Sequence, residues 1–276
     1  MGARTWGFRG GAGVFRGMAR RNRGLYGKAL WGLAAGVLLA LCNVQDRPVC
    51  VEQLLICVFG GVMSPEGPEI HQMLVLAFPM LLQLMLFGSA VQEDMEQSAV
   101  FLFTRSYSRR TWMLQKLTSA AGASLLFGAG AILAAGAAGA VYGIPVQSFG
   151  LLMRTLFCLL ITGALWQTAL ILLMNVLCVR FKPVFPLLLL WAVYVFGQFA
   201  ASLLLRAGAK TALALLPFAQ GLLVLHAGSL AEAMPELFLG GADFFTAWFS
   251  LAYQLVLLAA ICYVGVRMIR KKDFFS

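Results

Sequence analysis

One stretch of the sequence decides the fold: LLMRTLFCLLITGALWQTALILLMNVLC, residues 151–178, in which Arg154 is the single charged residue. About 20 predominantly apolar residues are enough for a helix to cross the hydrocarbon core of a bilayer. Apolar runs of this length are typical of membrane-spanning helices rather than of helices in a soluble core. The stretch therefore predicts a transmembrane helix.

The composition of the whole chain agrees with this prediction. Of its 276 residues, 61% are hydrophobic and 12% are charged, and the mean hydropathy is +0.85. Soluble domains carry roughly 25% charged residues and about 45–50% apolar ones. A soluble fold would expose much of the excess apolar surface, which promotes aggregation. The composition excludes a disordered chain, a disulfide-stapled secreted module and an ordinary cytosolic enzyme.

The hydropathy pattern predicts an all-α membrane protein with six spans in a single transmembrane domain, residues 1–276. Residues 51–63 are apolar but short, and Pro65 and Pro68 follow, so we expect an interfacial or re-entrant piece there. Residues 206–245 alternate short apolar pieces with Pro and Gly, which predicts packing at membrane depth without crossing. The predicted spans are residues 29–44, 72–91, 117–142, 151–178, 186–205 and 246–266.

The distribution of charges predicts the orientation. The formal net charge is +10, and with both termini in the cytoplasm 17 of the 21 Lys and Arg residues lie on the inner side. The outer side then carries Arg47, Arg154, Arg206 and Lys210. Such a bias follows the positive-inside rule, so the basic charge needs no nucleic-acid partner. The basic arm, residues 1–28, is either an interfacial helix on anionic membrane lipids or a disordered tail.

No catalytic or metal-binding motif stands out in the sequence. A nucleotide-binding Walker A loop is missing, and all eleven acidic residues fall outside the predicted spans or at their ends. A carrier with a carboxylate relay at membrane depth is therefore disfavoured. His71 and His226 each stand alone, so we expect no metal site. A disulfide among Cys42, Cys50 and Cys57 stays open.

The predicted spans contain scattered amide side chains. An amide that faced lipid would leave its donors unsatisfied, so these residues face other helices or a polar cavity. Interhelical hydrogen bonding is the favoured interpretation, and the lining of a translocation pathway is the alternative. Residues 119–140 are mostly Gly, Ala and Ser, which predicts close helix packing. The amides are Gln83, Gln167, Asn175, Gln198 and Gln254.

The most informative loop is the predicted cytoplasmic segment at residues 92–116. It begins with acids, passes through an apolar run and becomes basic, which suits a short helix and its macrodipole. Its sequence contains Glu93 and Glu96, then Phe101-Leu102-Phe103-Thr104-Arg105-Ser106-Tyr107-Ser108-Arg109-Arg110, then Leu114-Gln115-Lys116-Leu117. This pattern resembles the membrane subunits of type-2 family ABC exporters. The chain departs from the family pattern at Ser106, where Pro is common, and at Gln115, where Gly is common.

The resemblance implies a function for the loop and for the chain. In that family the corresponding segment is a coupling helix that docks on a separate ATPase subunit, and short re-entrant helices occupy the position of residues 206–245. The expected activity is ATP-driven export of an amphiphile, such as a drug, an antimicrobial peptide or a lipid-like molecule. The implied coupling residues are Glu93, Asp94, Glu96, Phe101, Phe103, Thr104, Arg105, Ser108, Arg109 and Arg110.

The resemblance also implies partners and a location. The chain would work with a second permease copy, as a homodimer or heterodimer, in the cytoplasmic membrane of a bacterial cell. It would bind no cofactor and catalyse no reaction itself, because ATP and Mg²⁺ belong to the partner ATPase. The alternative is a six-span secondary carrier or channel, for which Arg154 is the one ionisable candidate at membrane depth. A membrane scaffold or an intramembrane enzyme has no supporting motif.

Overall fold

A computed structural model describes residues 23–45, 48–61, 70–96 and 108–271, and these residues form helices and turns with no strand among them. Residues 90–96, here called the acidic segment, are also helical. A π-helix, Leu160–Ala164, joins α6 to α7. The α-helices are α1 (Arg23–Ala29), α2 (Trp31–Val44), α3 (Val51–Phe59), α4 (Ile70–Phe87), α5 (Arg109–Val141), α6 (Phe149–Leu159), α7 (Leu165–Leu177), α8 (Val184–Arg206), α9 (Lys210–Leu215), α10 (Ser229–Ala233) and α11 (Ala247–Lys271).

Within the described residues, five helical stretches are long and apolar enough to cross a membrane, which confirms a polytopic helical membrane protein. Helix α4 is not among the five; its 18 residues rise about 27 Å, close to the minimum for a span. The sixth span and the cytoplasmic termini remain predictions. The five stretches are Gly24–Val44, Arg109–Val141, Phe149–Leu177, Val184–Arg206 and Ala247–Lys271.

Close backbone packing joins α2 to α5, as the small residues of α5 predicted. A Cβ atom on Gly32 would lie 2.3 Å from the Phe127 carbonyl oxygen, and one on Gly36 would lie 2.1 Å from that of Ala131. The two glycines are four residues apart and therefore lie on the same face of α2. Small residues at this spacing let helix backbones approach each other in lipid. Any side chain at either position would push the two helices apart.

The two segments predicted not to cross the membrane are built from short helices. Residues 51–63 contain α3, of nine residues. Residues 206–245 contain α9, α10 and three 3₁₀ turns, Pro217–Gly221, Leu223–Leu225 and Pro235–Leu237. The depth of both segments in a membrane remains a prediction.

A buried carboxylate fixes α3 to the loop between α5 and α6. Glu52 has no exposed surface, and its carboxylate accepts hydrogen bonds from the backbone N–H groups of Gln147 (3.2 Å) and Ser148 (3.3 Å). Because Glu52 lies in the first turn of α3, the helix macrodipole also stabilises its negative charge. All six cysteines are free thiols, so no disulfide supports this region.

Among the residues that the structure describes, the buried core consists of two clusters. One lies around Met80, Phe87, Trp112 and Phe127, and it extends to Ile269 near the basic end of α11. In the other cluster, α3 and the buried side chains of residues 206–245 pack against α5 and α6, around Leu54, Leu159, Leu225 and Phe245.

Candidate functional site

A cluster of neutral polar side chains joins three long helices in the middle of the bundle. We call Gln83 of α4, Ser124 of α5, and Gln167 and Thr168 of α7 the inner network. The Gln83 amide donates to Gln167 Oε1, and the Ser124 hydroxyl donates to Gln83 Oε1 at 2.6 Å. The Thr168 hydroxyl lies 3.1 Å from Ser124 Oγ and 2.9 Å from the Ala164 carbonyl oxygen. The network thus holds α4, α5 and α7 in one relative arrangement.

Two adjoining cavities border the inner network. Both are lined by Phe59, Pro79, Gly163 and Gln167; one also reaches Gln83, and the other reaches Gln198. Each has room for about one water molecule. Three of the five predicted amides, Gln83, Gln167 and Gln198, therefore line these two adjoining cavities.

The turn at residues 217–222 forms one wall of the cavity that reaches Gln198. The Phe218 ring packs edge to face on Trp166, with centroids 5.7 Å apart, and leaves no room for a side chain at Gly197. The Trp166 indole Nε1 is buried, and no described residue accepts a hydrogen bond from it. A free donor beside the amides of Gln167 and Gln198 suits water or an uncharged polar group of a ligand.

A second network, here called the outer network, joins residues 206–245 to α11. It consists of Gln220, His226, Ser250 and Gln254, all of them buried. The Ser250 hydroxyl lies 2.6 Å from His226 Nε2 and 2.7 Å from Gln220 Oε1, so it bridges the two side chains. The Gln220 amide donates to the Ala214 carbonyl at 2.6 Å. Gln254 donates to the backbone carbonyls of Gln220 and of Thr162 in the π-helix, both at 3.2 Å.

His226 is the one ionisable side chain of the outer network. Its Nδ1 lies 2.9 Å from the Leu222 carbonyl oxygen, which can only accept, so the proton of the neutral ring is on Nδ1. The ring stacks on Phe245, with centroids 4.1 Å apart. Burial lowers the pKa of His226 from its ordinary value of 6.5 to about 4, because the charged form loses its hydration. The ring is therefore neutral at pH 7.

Asn175 connects α7 to the break between α4 and the acidic segment. Its Oδ1 accepts from the Val91 N–H at 2.9 Å, and its Nδ2 donates to the Phe87 carbonyl at 2.8 Å. The same Nδ2 also donates to the backbone carbonyl of Ile171 at 2.9 Å. One side chain thus satisfies backbone groups on both sides of the turn at residues 88–89, and it fixes the start of the acidic segment against α7.

Asp94 connects the acidic segment to the start of α5. Its Oδ2 accepts a hydrogen bond from the Trp112 indole at 3.0 Å and lies 3.2 Å from Lys116 Nζ. Glu93 and Glu96 are exposed, and among the described residues they accept hydrogen bonds from Ser89 and Gln92, each four residues earlier. Asp94 therefore joins the acidic segment to α5, whereas the contacts described for Glu93 and Glu96 are local.

The remaining predicted coupling residues divide into two groups. Ser108 and Arg110 are exposed at the start of α5, and Arg109 is half-buried. Ser108 is the N-cap residue of α5, but its side chain makes no capping hydrogen bond. Phe101, Phe103, Thr104 and Arg105 lie outside the described residues. Helix α5, which contains the predicted span at residues 117–142, begins at Arg109, and Asp94 contacts both Trp112 and Lys116 in its first turns.

All five predicted amides are buried or half-buried, as interhelical contacts require. Their role as the lining of a pathway remains a prediction. Arg154, the candidate of the carrier alternative, is exposed on α6. Within residues 23–45, 48–61, 70–96 and 108–271, no three His, Cys, Asp or Glu side chains are placed to hold a metal ion.

The outer network was missed by sequence reasoning. His226 was considered alone, and Gln220 and Ser250 were not singled out, because they lie in an irregular segment and at the start of a span. The signal that could have found them is the concentration of polar residues at 220, 226, 250 and 254 in otherwise apolar sequence.

No protein-family model, curated protein or solved structure matches the chain.

Proposed function

We propose that this chain is the membrane subunit of an ATP-driven ABC exporter, coupled to a separate ATPase and moving an amphiphilic substrate out of the cell. One observation carries the proposal: the acidic segment is fixed by Asp94 to α5 and by Asn175 to α7, and it follows α4 directly. These are the same three helices that the inner network joins. A push on the exposed face of the acidic segment would therefore reach the internal cavities.

The distances along the helices suit rigid-body transmission. Trp112 and Ser124 are twelve residues apart on α5, which is about 18 Å of helix. Asn175 and Gln167 are eight residues apart on α7, about 12 Å. Packed helices move as units and transmit small displacements from one end to the other. Closure of a partner ATPase on Glu93 and Glu96 would then shift the three helices together at the inner network.

The cavities supply a route for the substrate in this proposal. Their walls combine apolar side chains with the amides of Gln83, Gln167 and Gln198, which suits a molecule with both apolar and uncharged polar groups. The turn that carries Phe218 and Leu222 would have to move for the substrate to leave. A second permease copy would provide the opposite wall of the wider, open pathway.

The first test is charge reversal on the acidic segment. In the full chain co-expressed with its ATPase, the double variant Glu93→Lys, Glu96→Lys should lower substrate-stimulated ATP hydrolysis at least tenfold. Membrane insertion should not change, because both side chains are exposed. The matched control is Glu232→Lys, Glu236→Lys, which reverses two exposed acids in residues 206–245. Equal activity of the two double variants would contradict the proposed coupling surface.

The second test is the energy source. Purification of the tagged chain should also recover a P-loop ATPase, and vesicles that contain both should take up substrate only with ATP. Transport by the chain alone, driven by an imposed ion gradient, would support the secondary carrier or channel and overturn the exporter.

A further inference from the structure

The described residues contain a basic cleft that neither network uses. It lies between the turn after α7 and the last turns of α11, is lined by Val179, Arg180, Met268 and Lys271, and has a volume of about 280 Å³. Charge distribution predicts that this end of the molecule faces the cytoplasm. The geometry points to a binding site for the headgroup of an anionic phospholipid of the inner leaflet.

The two described segments that line the cleft carry charges of one sign. Residues 178–183 and 262–271 contain five cations and no acid, and all five cations are exposed; Asp273 lies outside the described residues. Basic pockets between transmembrane helices on the cytoplasmic side bind anionic headgroups. An arginine contributes several N–H donors in a planar fork, and a lysine contributes a compact charge, which together suit a phosphate. The five cations are Arg180, Lys182, Arg267, Arg270 and Lys271.

The cleft has apolar surroundings that favour a lipid over a free phosphate ion. Val179 is buried and Met268 half-buried, so the cationic side chains lie beside apolar side chains. Close by along the chain, the exposed rings of Phe181 and Phe185 pack together with centroids 5.1 Å apart. Free phosphate would gain nothing from these apolar groups, whereas the acyl chains of a phospholipid would bury against them.

Tight packing between α11, α7 and α5 supports the cleft at Gly265, three residues before Met268. A Cβ atom on Gly265 would lie 2.7 Å from Val176 Cγ2 and 3.0 Å from Met113 Cε. Helices α11 and α7 therefore approach closely one turn before Met268. The proposed site rests on this packing and not on coupling to an ATPase.

The experiment is a lipid titration of the purified full chain in detergent, followed by native mass spectrometry. We expect phosphatidylglycerol to bind more tightly than phosphatidylcholine. Arg180→Gln, Lys271→Gln should weaken phosphatidylglycerol binding roughly tenfold or more, since each cation near an anionic surface contributes about a fivefold factor. The matched control Arg206→Gln, Lys210→Gln removes two exposed cations on the predicted outer side and should leave the affinity unchanged.

Two further measurements separate the possible outcomes. Arg180→Lys, Lys271→Arg keeps both charges and should keep the preference for phosphatidylglycerol. Inorganic phosphate should not displace the lipid at comparable concentration; displacement would assign the cleft to a free phosphate. Cations at helix C-termini also stabilise the helix macrodipole, but that effect needs no anionic lipid. Equal binding of the two lipids, or equal weakening in both Gln double variants, would overturn the proposal.

Discussion

The inner and outer networks use similar side chains in different ways. The inner network connects one side chain to the next across α4, α5 and α7, over sequence separations of 41 to 84 residues, and contains no ionisable group. The outer network uses backbone carbonyls of Ala214, Leu222 and Thr162 as acceptors, and it contains His226. The first network sets how spans pack on each other, and the second fixes irregular backbone to a span. We therefore expect them to respond differently to pH and to loss of a side chain.

Acidification should give the largest difference between the networks. Between pH 6.5 and pH 4 the unfolded chain binds a proton at His226 that the folded chain does not, because burial lowers the folded pKa to about 4. The free energy of unfolding should therefore fall as the pH decreases through this range, by up to about 3 kcal/mol. Thermal unfolding in detergent at a series of pH values measures the effect.

Two variants isolate the contribution of His226 from those of other titrating groups. His226→Gln cannot titrate and should show a shallower pH dependence than the wild type. Gln83→Leu should keep the wild-type pH dependence, because the inner network has no titratable side chain. Parallel curves for the wild type and His226→Gln would contradict the assignment.

Loss of the Gln220 side chain should have the next largest effect on the free energy of unfolding. Gln220→Leu removes one acceptor of the Ser250 hydroxyl, which keeps His226 Nε2 as a partner, and it removes the side-chain donor to the Ala214 carbonyl among buried residues. We expect the free energy of unfolding to decrease by about 2 kcal/mol. The exposed Gln147 gives the matched control, Gln147→Leu, with an expected change below about 0.5 kcal/mol. A similar loss in both variants, measured by thermal unfolding at pH 7, would argue against the outer network.

Loss of Gln83 should have the smallest effect on stability and a large effect on activity. Hydrogen bonds between transmembrane helices contribute about 0.6 kcal/mol on average, because the separated helices find other partners in the membrane. Gln83→Leu should therefore cost about 1 kcal/mol but abolish substrate stimulation of the ATPase. A double-mutant cycle with Ser124→Ala should give a coupling energy of at least 0.5 kcal/mol. Additive effects of the two substitutions would show that the contact is not made.

The fold could be predicted from the sequence as far as apolar length and small residues determine it. Long runs such as residues 151–178 and the glycine-rich helix α5 are local signals, and the structure has helices at both. Hydropathy places the start of the third predicted span at residue 117, whereas helix α5 begins eight residues earlier, at Arg109. Trp112 and Lys116 interrupt the apolar pattern there, and in the structure both contact the carboxylate of Asp94. Such a partner lies 18 residues away for Trp112 and is not visible in a hydropathy pattern.

The candidate site could be predicted only in part. The burial of Gln83, Asn175 and Gln254 followed from the cost of placing an amide in lipid. Their partners did not, because pairing depends on how each helix is rotated about its axis. The outer network depends on turns of three to five residues, where neither periodicity nor length predicts a position.

The π-helix at Leu160–Ala164 has a consequence for how the chain tolerates insertions and deletions. A π-bulge amounts to one residue more than a regular helix needs, and each residue of an α-helix turns the following side chains by about 100°. The added residue therefore sets the rotation of all of α7. It directs Gln167 and Thr168 to the inner network and, two turns later, Asn175 to the acidic segment. Both ends of the proposed coupling path thus depend on one additional residue at the π-helix between α6 and α7.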